Sequence, residues 1–128
     1  MRRATFDDIP RLIDLVGRLV AASGVPQVMD AGHTRATLTA LMVRPDAAIW
    51  ITDAGFMAAS IERTVISPEL IACEHGWYSE TGKGLALLRE LEAWADLHGA
   101  RVRLSTGAVG PDLARLGYRM VEQAWVRG

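Results

Sequence analysis

The stretch Glu74-His75-Gly76-Trp77-Tyr78-Ser79-Glu80-Thr81-Gly82-Lys83-Gly84 runs directly into Leu85-Ala86-Leu87-Leu88 and gathers the residues best suited to chemistry. A glycine-rich turn between an extended segment and a helix leaves main-chain N–H groups unpaired at the helix N-terminus. With the positive end of the helix dipole, these groups can hold a phosphate or pyrophosphate. Lys83 adds a charged donor, and Gly82 and Gly84 let a ligand approach the main chain closely. The same residues also fit an ordinary strand-to-helix turn with a solvated lysine. Short glycine motifs do not separate the two readings.

Better-defined motifs are excluded by spacing. A P-loop needs two glycines with four residues between them, then Lys and a Ser or Thr for Mg²⁺. Gly76 lies one residue too far from Gly82, and Gly84 stands where the hydroxyl belongs. A dinucleotide fingerprint follows the first strand of a βαβ unit, whereas Gly82 and Gly84 follow a meander. No Gly-x-Ser-x-Gly elbow supports a serine hydrolase. His33, His75 and His98 lack metal-ligand spacing, so no metal is expected. His98 suits a helix C-terminus, while His75 fits either a proton shuttle or a structural role. Cys73 lies on an apolar strand without an electropositive setting and reads as core. Trp50, Trp77, Trp94 and Trp125 read as core or interface anchors.

Several elements must position this stretch. Ile9, Leu12, Ile13, Leu15, Val16, Leu19 and Val20 repeat at helical spacing over residues 7–22, with Asp7 or Asp8 as N-cap and Pro10 in the first turn. Residues 1–5 read as a short strand before it. A second helix is expected over 34–43, stopped by Arg44-Pro45-Asp46. The period then changes to that of strands over 47–52 and 56–66, joined by the turn Asp53-Ala54-Gly55, and a third strand over 70–78. Leu85, Leu88, Leu91, Trp94 and Ala95 form the buried face of a helix over 85–98, closed by Gly99. Residues 101–105 alternate as a strand, 111–116 make a short helix ending at Gly117, and 118–126 return as a last strand. A mixed, mainly antiparallel α/β sheet flanked by helices accommodates this order, in one domain spanning 1–128.

Composition narrows the function classes. A chain of 128 residues, half hydrophobic and 23% charged, can bury a core without disulfides. Fourteen basic and fifteen acidic side chains offer no concentrated positive field, so nucleic acid is not an expected partner. No apolar run reaches the roughly 20 residues that span a bilayer, and Asp7, Asp8 and Pro10 interrupt any leader behind Met1-Arg2-Arg3. A single cysteine fits a reducing compartment, and the cytoplasm is the expected location.

Taken in order, these residues resemble the GNAT N-acetyltransferase superfamily, in its compact, phage-related form. The likeness rests on Glu74-His75-Gly76-Trp77-Tyr78, on Thr81-Gly82-Lys83-Gly84, and on the helix from Leu85 to Ala95. It extends to Gly99-Ala100, Val102-Arg103-Leu104, Leu116-Gly117-Tyr118 and the opening Arg2 to Leu12. The resemblance implies a V-shaped opening between the fourth and fifth strands that holds acetyl-CoA as cosubstrate. The pantetheine arm would pair with Trp77, Tyr78 and Ser79, while Thr81, Gly82, Lys83, Gly84 and Leu85 face the pyrophosphate. Glu74 would deprotonate the amine, directly or through water, because an ammonium has no lone pair to attack a thioester. Arg101, Arg103 and Arg115 could approach the 3′-phosphate, or simply form a solvated face.

Two departures from the family pattern stand out. Ser79-Glu80-Thr81 replaces the usual Arg or Gln before the glycines, and Glu80 would repel a pyrophosphate. Leu113 occupies the position where many relatives keep a tyrosine that protonates the thiolate, leaving Tyr78 or water for that step. The expected activity is acetyl transfer to a small-molecule or peptide amine, with an acceptor pocket drawn from the region 23–35. The alternative is a catalytically degenerate GNAT-fold binding or assembly module. An exposed Trp50 or Trp125 on an edge strand would suit that module or a homodimer.

Overall fold

The computed structural model describes residues 1–107 and 110–128. Along them run β1 (Arg2–Arg3), a 3₁₀ turn (Phe6–Asp8), α1 (Ile9–Ser23), α2 (Ala31–Val43), β2 (Ala47–Thr52), β3 (Gly55–Glu62), β4 (Ile71–Ser79), α3 (Gly84–Leu97), β5 (Arg101–Arg103) and a second 3₁₀ turn (Ala114–Leu116).

Local chemistry sets the helix ends. Asp8 takes two N–H bonds from Arg2, at 2.7 and 2.8 Å, and one from the Thr5 amide at 2.8 Å. These contacts pin the entry to α1, with Pro10 in its first turn. The second helix begins three residues before the expected start, because the Asp30 side chain caps it by accepting the His33 amide at 2.9 Å. Apolar spacing detects the buried face and misses the exposed first turn.

The strands form one sheet in the order β1-β2-β3-β4-β5. All neighbours are antiparallel except β4 and β5, which are parallel. The inner strands β2 and β3 are buried along most of their length because helices cover both faces. On one face, Ile9, Leu12 and Leu15 of α1 and Leu38 and Leu41 of α2 pack on Ile49, Ile51, Phe56 and Ala58. On the other, Leu87, Leu88, Leu91 and Trp94 of α3 pack on Trp50, Met57, Ala59 and Ala72. Among the described residues no helix is long and apolar enough to cross a membrane.

Three expectations are corrected. Strand β3 stops at Glu62 rather than at residue 66, and Val65 and Ile66 stand fully exposed in the connection to β4. Trp50 is 2% exposed, set edge-on to Trp94 at 5.5 Å with the Arg3 guanidinium 5.0 Å from its ring, so it is no surface anchor. Residues 118–126 form no strand, and Met120, Val121, Trp125 and Val126 are exposed. A strand needs a ladder partner, and β5, at the edge of the sheet, offers only three residues for one. The tail touches it through an Arg103–Glu122 ion pair instead.

Candidate functional site

Two irregularities in β4 shape the region that the sequence singles out. The first is a bulge. Ala58 pairs with Gly76 and Ala59 with Glu74, which leaves His75 without an opposite residue on β3. A Cβ on Gly76 would lie 2.8 and 2.9 Å from two carbons of the Phe56 ring, so only glycine lets that ring close over the bulge. Residues directly opposite one another share a sheet face. Glu74, opposite Ala59, and Trp77, opposite Met57, therefore face α3, while Tyr78 packs with the α1 and α2 cluster. Glu74 and Tyr78 lie on opposite faces of the sheet.

The second irregularity is a fork. Parallel pairing with β5 covers only Ile71, Ala72 and Cys73, opposite Arg101, Val102 and Arg103. Beyond it β4 continues through Ser79 with β3 alone as partner. Glu74 stands where the strands part, and its Oε1 accepts the Ser105 amide at 3.1 Å across the gap. Burial pushes the Glu74 carboxyl up to about 7, with the Ser105 N–H pulling the other way. Near neutral pH such a group divides its time between holding and accepting a proton.

The end of β4 is fixed from both sides. A Cβ on Gly55 would lie 2.3 Å from the Tyr78 carbonyl oxygen, so the β2–β3 turn presses on the strand as only glycine permits. The Glu80 amide donates to the Ala54 carbonyl at 2.8 Å, and Ser79 Oγ donates to the Thr81 carbonyl at 2.8 Å. Trp77 Nε1 donates to the Gly84 carbonyl at 3.1 Å, tying the strand to the first turn of α3. Thr81, Gly82, Lys83 and Leu85 are exposed, and nothing lies within 4 Å of a Cβ placed on Gly82. Among the described residues the amides of Gly82, Gly84 and Leu85 meet no protein acceptor. Trp77, Ser79, Thr81, Gly82, Lys83, Gly84 and Leu85 are thus brought together around one strand-to-helix corner.

Arg18 also belongs to this corner, though nothing local in the sequence marks it. The α1 guanidinium pairs with Glu80 across the corner and with Asp14 at 3.3 Å. The acidic residue that breaks the family pattern therefore carries its own counter-charge. Ser105, which holds Glu74, was also missed, because its role depends on where the chain lands after β5. Arg101 and Arg103 are engaged by Glu69 and Glu122, and Arg115 lies exposed in the last 3₁₀ turn. Tyr118, after Gly117, donates its hydroxyl to Glu92 on α3 at 2.9 Å, and burial with that carboxylate raises its pKa far above the usual phenol value.

No family model matches the chain, and no curated protein matches it. Solved structures do. A predicted acetyltransferase with acetyl-CoA from Clostridium acetobutylicum superposes with a TM-score of 0.81 at 15% identity, over 99% of this chain and 94% of that one. A GNAT family acetyltransferase from Staphylococcus aureus gives 0.65 at 15% identity, over 99% and 96%. An aminoglycoside 6′-N-acetyltransferase from Acinetobacter baumannii gives 0.71 at 14% identity, over 98% and 94%. Near end-to-end superposition, with helices on both faces of a sheet that forks between its fourth and fifth strands, identifies the chain as having the GNAT acetyltransferase fold.

Proposed function

We propose that this protein transfers an acetyl group from acetyl-CoA to a small-molecule or peptide amine by direct attack. The observation that carries the reading is the fork, which leaves one edge of β4 from Glu74 to Ser79 without a strand and sets a carboxyl of pKa about 7 at its apex. Extended pantetheine amides would pair with main chain of Trp77, Tyr78 and Ser79, in the manner of an added strand. The amides of Gly82, Gly84 and Leu85, with the Thr81 and Lys83 side chains beside them, would receive the pyrophosphate.

In the reaction Glu74 accepts a proton from the ammonium, directly or through water. The freed nitrogen attacks the thioester carbonyl carbon, the N–C bond forms, and the C–S bond breaks. The coenzyme A thiolate leaves and takes a proton from Tyr78 or water, and the second proton that the nitrogen sheds as it becomes an amide makes up that loss. Structural neighbours that include an aminoglycoside acetyltransferase support an amine acceptor. Use of acetyl-CoA fits a cytoplasmic setting. The second reading, a binding module without catalysis, draws on Leu113 and on Glu80 in the cofactor corner.

Acetyl-CoA at a hundred times its Kd should stabilise the folded chain by about 2.7 kcal/mol, raising Tm by on the order of 10 °C. Differential scanning fluorimetry measures this directly. An unchanged Tm at millimolar acetyl-CoA would favour the binding module.

A further inference from the structure

The strand-to-helix corner lacks the Arg or Gln that the family pattern places before its glycines, and carries Glu80 in that stretch. Lys83, exposed, is the single cation that the loop supplies. Glu80 cancels its charge, so the loop by itself offers a diphosphate main-chain amides and no net positive charge. Arg18 changes that balance. Its guanidinium reaches from α1 to the Glu80 carboxylate and brings a second positive charge to the corner.

The pair is easily exchanged. Both side chains keep contact with solvent, at 47% and 31% exposure, and an ion pair in that setting adds little to stability. Arg18 also meets Asp14 at 3.3 Å. Asp14 does not depend on that contact, because Arg11 pairs with it and is itself anchored on the Asp53 carbonyl at 3.1 Å. When Arg18 turns away, Asp14 therefore keeps a counter-charge and Glu80 keeps water. Glu80 is two residues from Gly82, a span of at most about 7 Å along the chain. An anion held on the amides of Gly82, Gly84 and Leu85 is thus within the sweep of the Arg18 side chain. A diphosphate carries more charge than one carboxylate, and a guanidinium grips its oxygens with the same forked donors.

We propose that Arg18 is a cofactor-binding residue that leaves Glu80 for the diphosphate when coenzyme A enters the corner. It supplies from α1 the cation that the loop lacks, and Glu80 parks it beside the site until then. That coenzyme A is the ligand rests on the transferase reading; that Arg18 grips the ligand itself, and does not merely neutralise Glu80, is the new element.

The test compares two variants of the full chain by calorimetric titration with coenzyme A. Glu80→Gln takes away the charge to be neutralised and leaves Arg18 in place. The double variant adds Arg18→Gln; both positions are exposed, so neither exchange disturbs a core. Coenzyme A should bind the double variant about tenfold more weakly than Glu80→Gln alone. Pantetheine, which has no phosphate, should bind both variants equally, followed by NMR shifts at Trp77 and Tyr78. Equal coenzyme A affinity in the two variants would reduce Arg18 to a partner of Glu80, and an equal loss for pantetheine would make its role structural. Either result overturns the proposal while the transferase reading stands. A parent chain that takes up no coenzyme A at millimolar concentration would sink that reading and the proposal together.

Discussion

Glu74 concentrates the functional argument in one carboxyl group, and its environment makes two linked predictions. A base acts only when deprotonated, so kcat/KM for acetyl transfer should rise with pH through about 7. Glu74→Gln should remove that limb of the profile while leaving acetyl-CoA affinity nearly unchanged; a variant that kept the limb would take Glu74 out of the chemistry. The same group costs stability. Its folded pKa of about 7 lies above the ordinary value of 4.5, so the unfolded chain releases the proton first as pH rises. Stability therefore falls between those two values and stays low above them, by up to about 3 kcal/mol. Gln keeps an oxygen for the Ser105 amide and carries no charge, so urea denaturation at pH 8 should find Glu74→Gln more stable than the parent. At pH 4 the difference should vanish.

At the scale of elements, the proposed cofactor corner is held by neighbours distant in sequence. The β2–β3 turn buttresses the end of β4, Trp77 ties it to α3, and Arg18 reaches over from α1 to Glu80. That ion pair is solvent-facing and adds little to stability. Its larger consequence is that a positive charge stands beside the proposed diphosphate site, tied to a carboxylate. Glu80→Gln removes the competing negative charge and releases Arg18. Isothermal titration should then find acetyl-CoA bound about 3- to 10-fold more tightly, the effect of about 1 kcal/mol in a wet site. Weaker binding in Glu80→Gln would mean that the Arg18 link, and not the charge, organises the corner.

Over the whole molecule, two cores on opposite faces of one sheet carry the fold, and the segment after Tyr118 contributes little to either. Ending the chain after Arg119 removes exposed Met120, Val121, Trp125 and Val126 and one ion pair at the surface. Tm should change by less than about 3 °C, since burial rather than chain length sets stability. A drop of 10 °C or more by calorimetry would show that these residues complete a sheet in solution.

Residue spacing alone determined the three helices, the meander and the location of the candidate corner. Amphipathic periods, turn residues and a glycine-rich loop are local signals, and they need no knowledge of distant chain. The strand ends were less legible, because β3 and the tail stop where partners run out, which a one-dimensional pattern does not register. Arg18 against Glu80, Ser105 against Glu74 and Ser60 against His75 join residues 62, 31 and 15 positions apart. Only the tertiary structure decided those pairs, along with the bulge that turns Glu74 and Tyr78 to opposite faces. A side chain's pKa, partner and direction depend on what folding brings within a few ångströms, and residue type with spacing does not contain that.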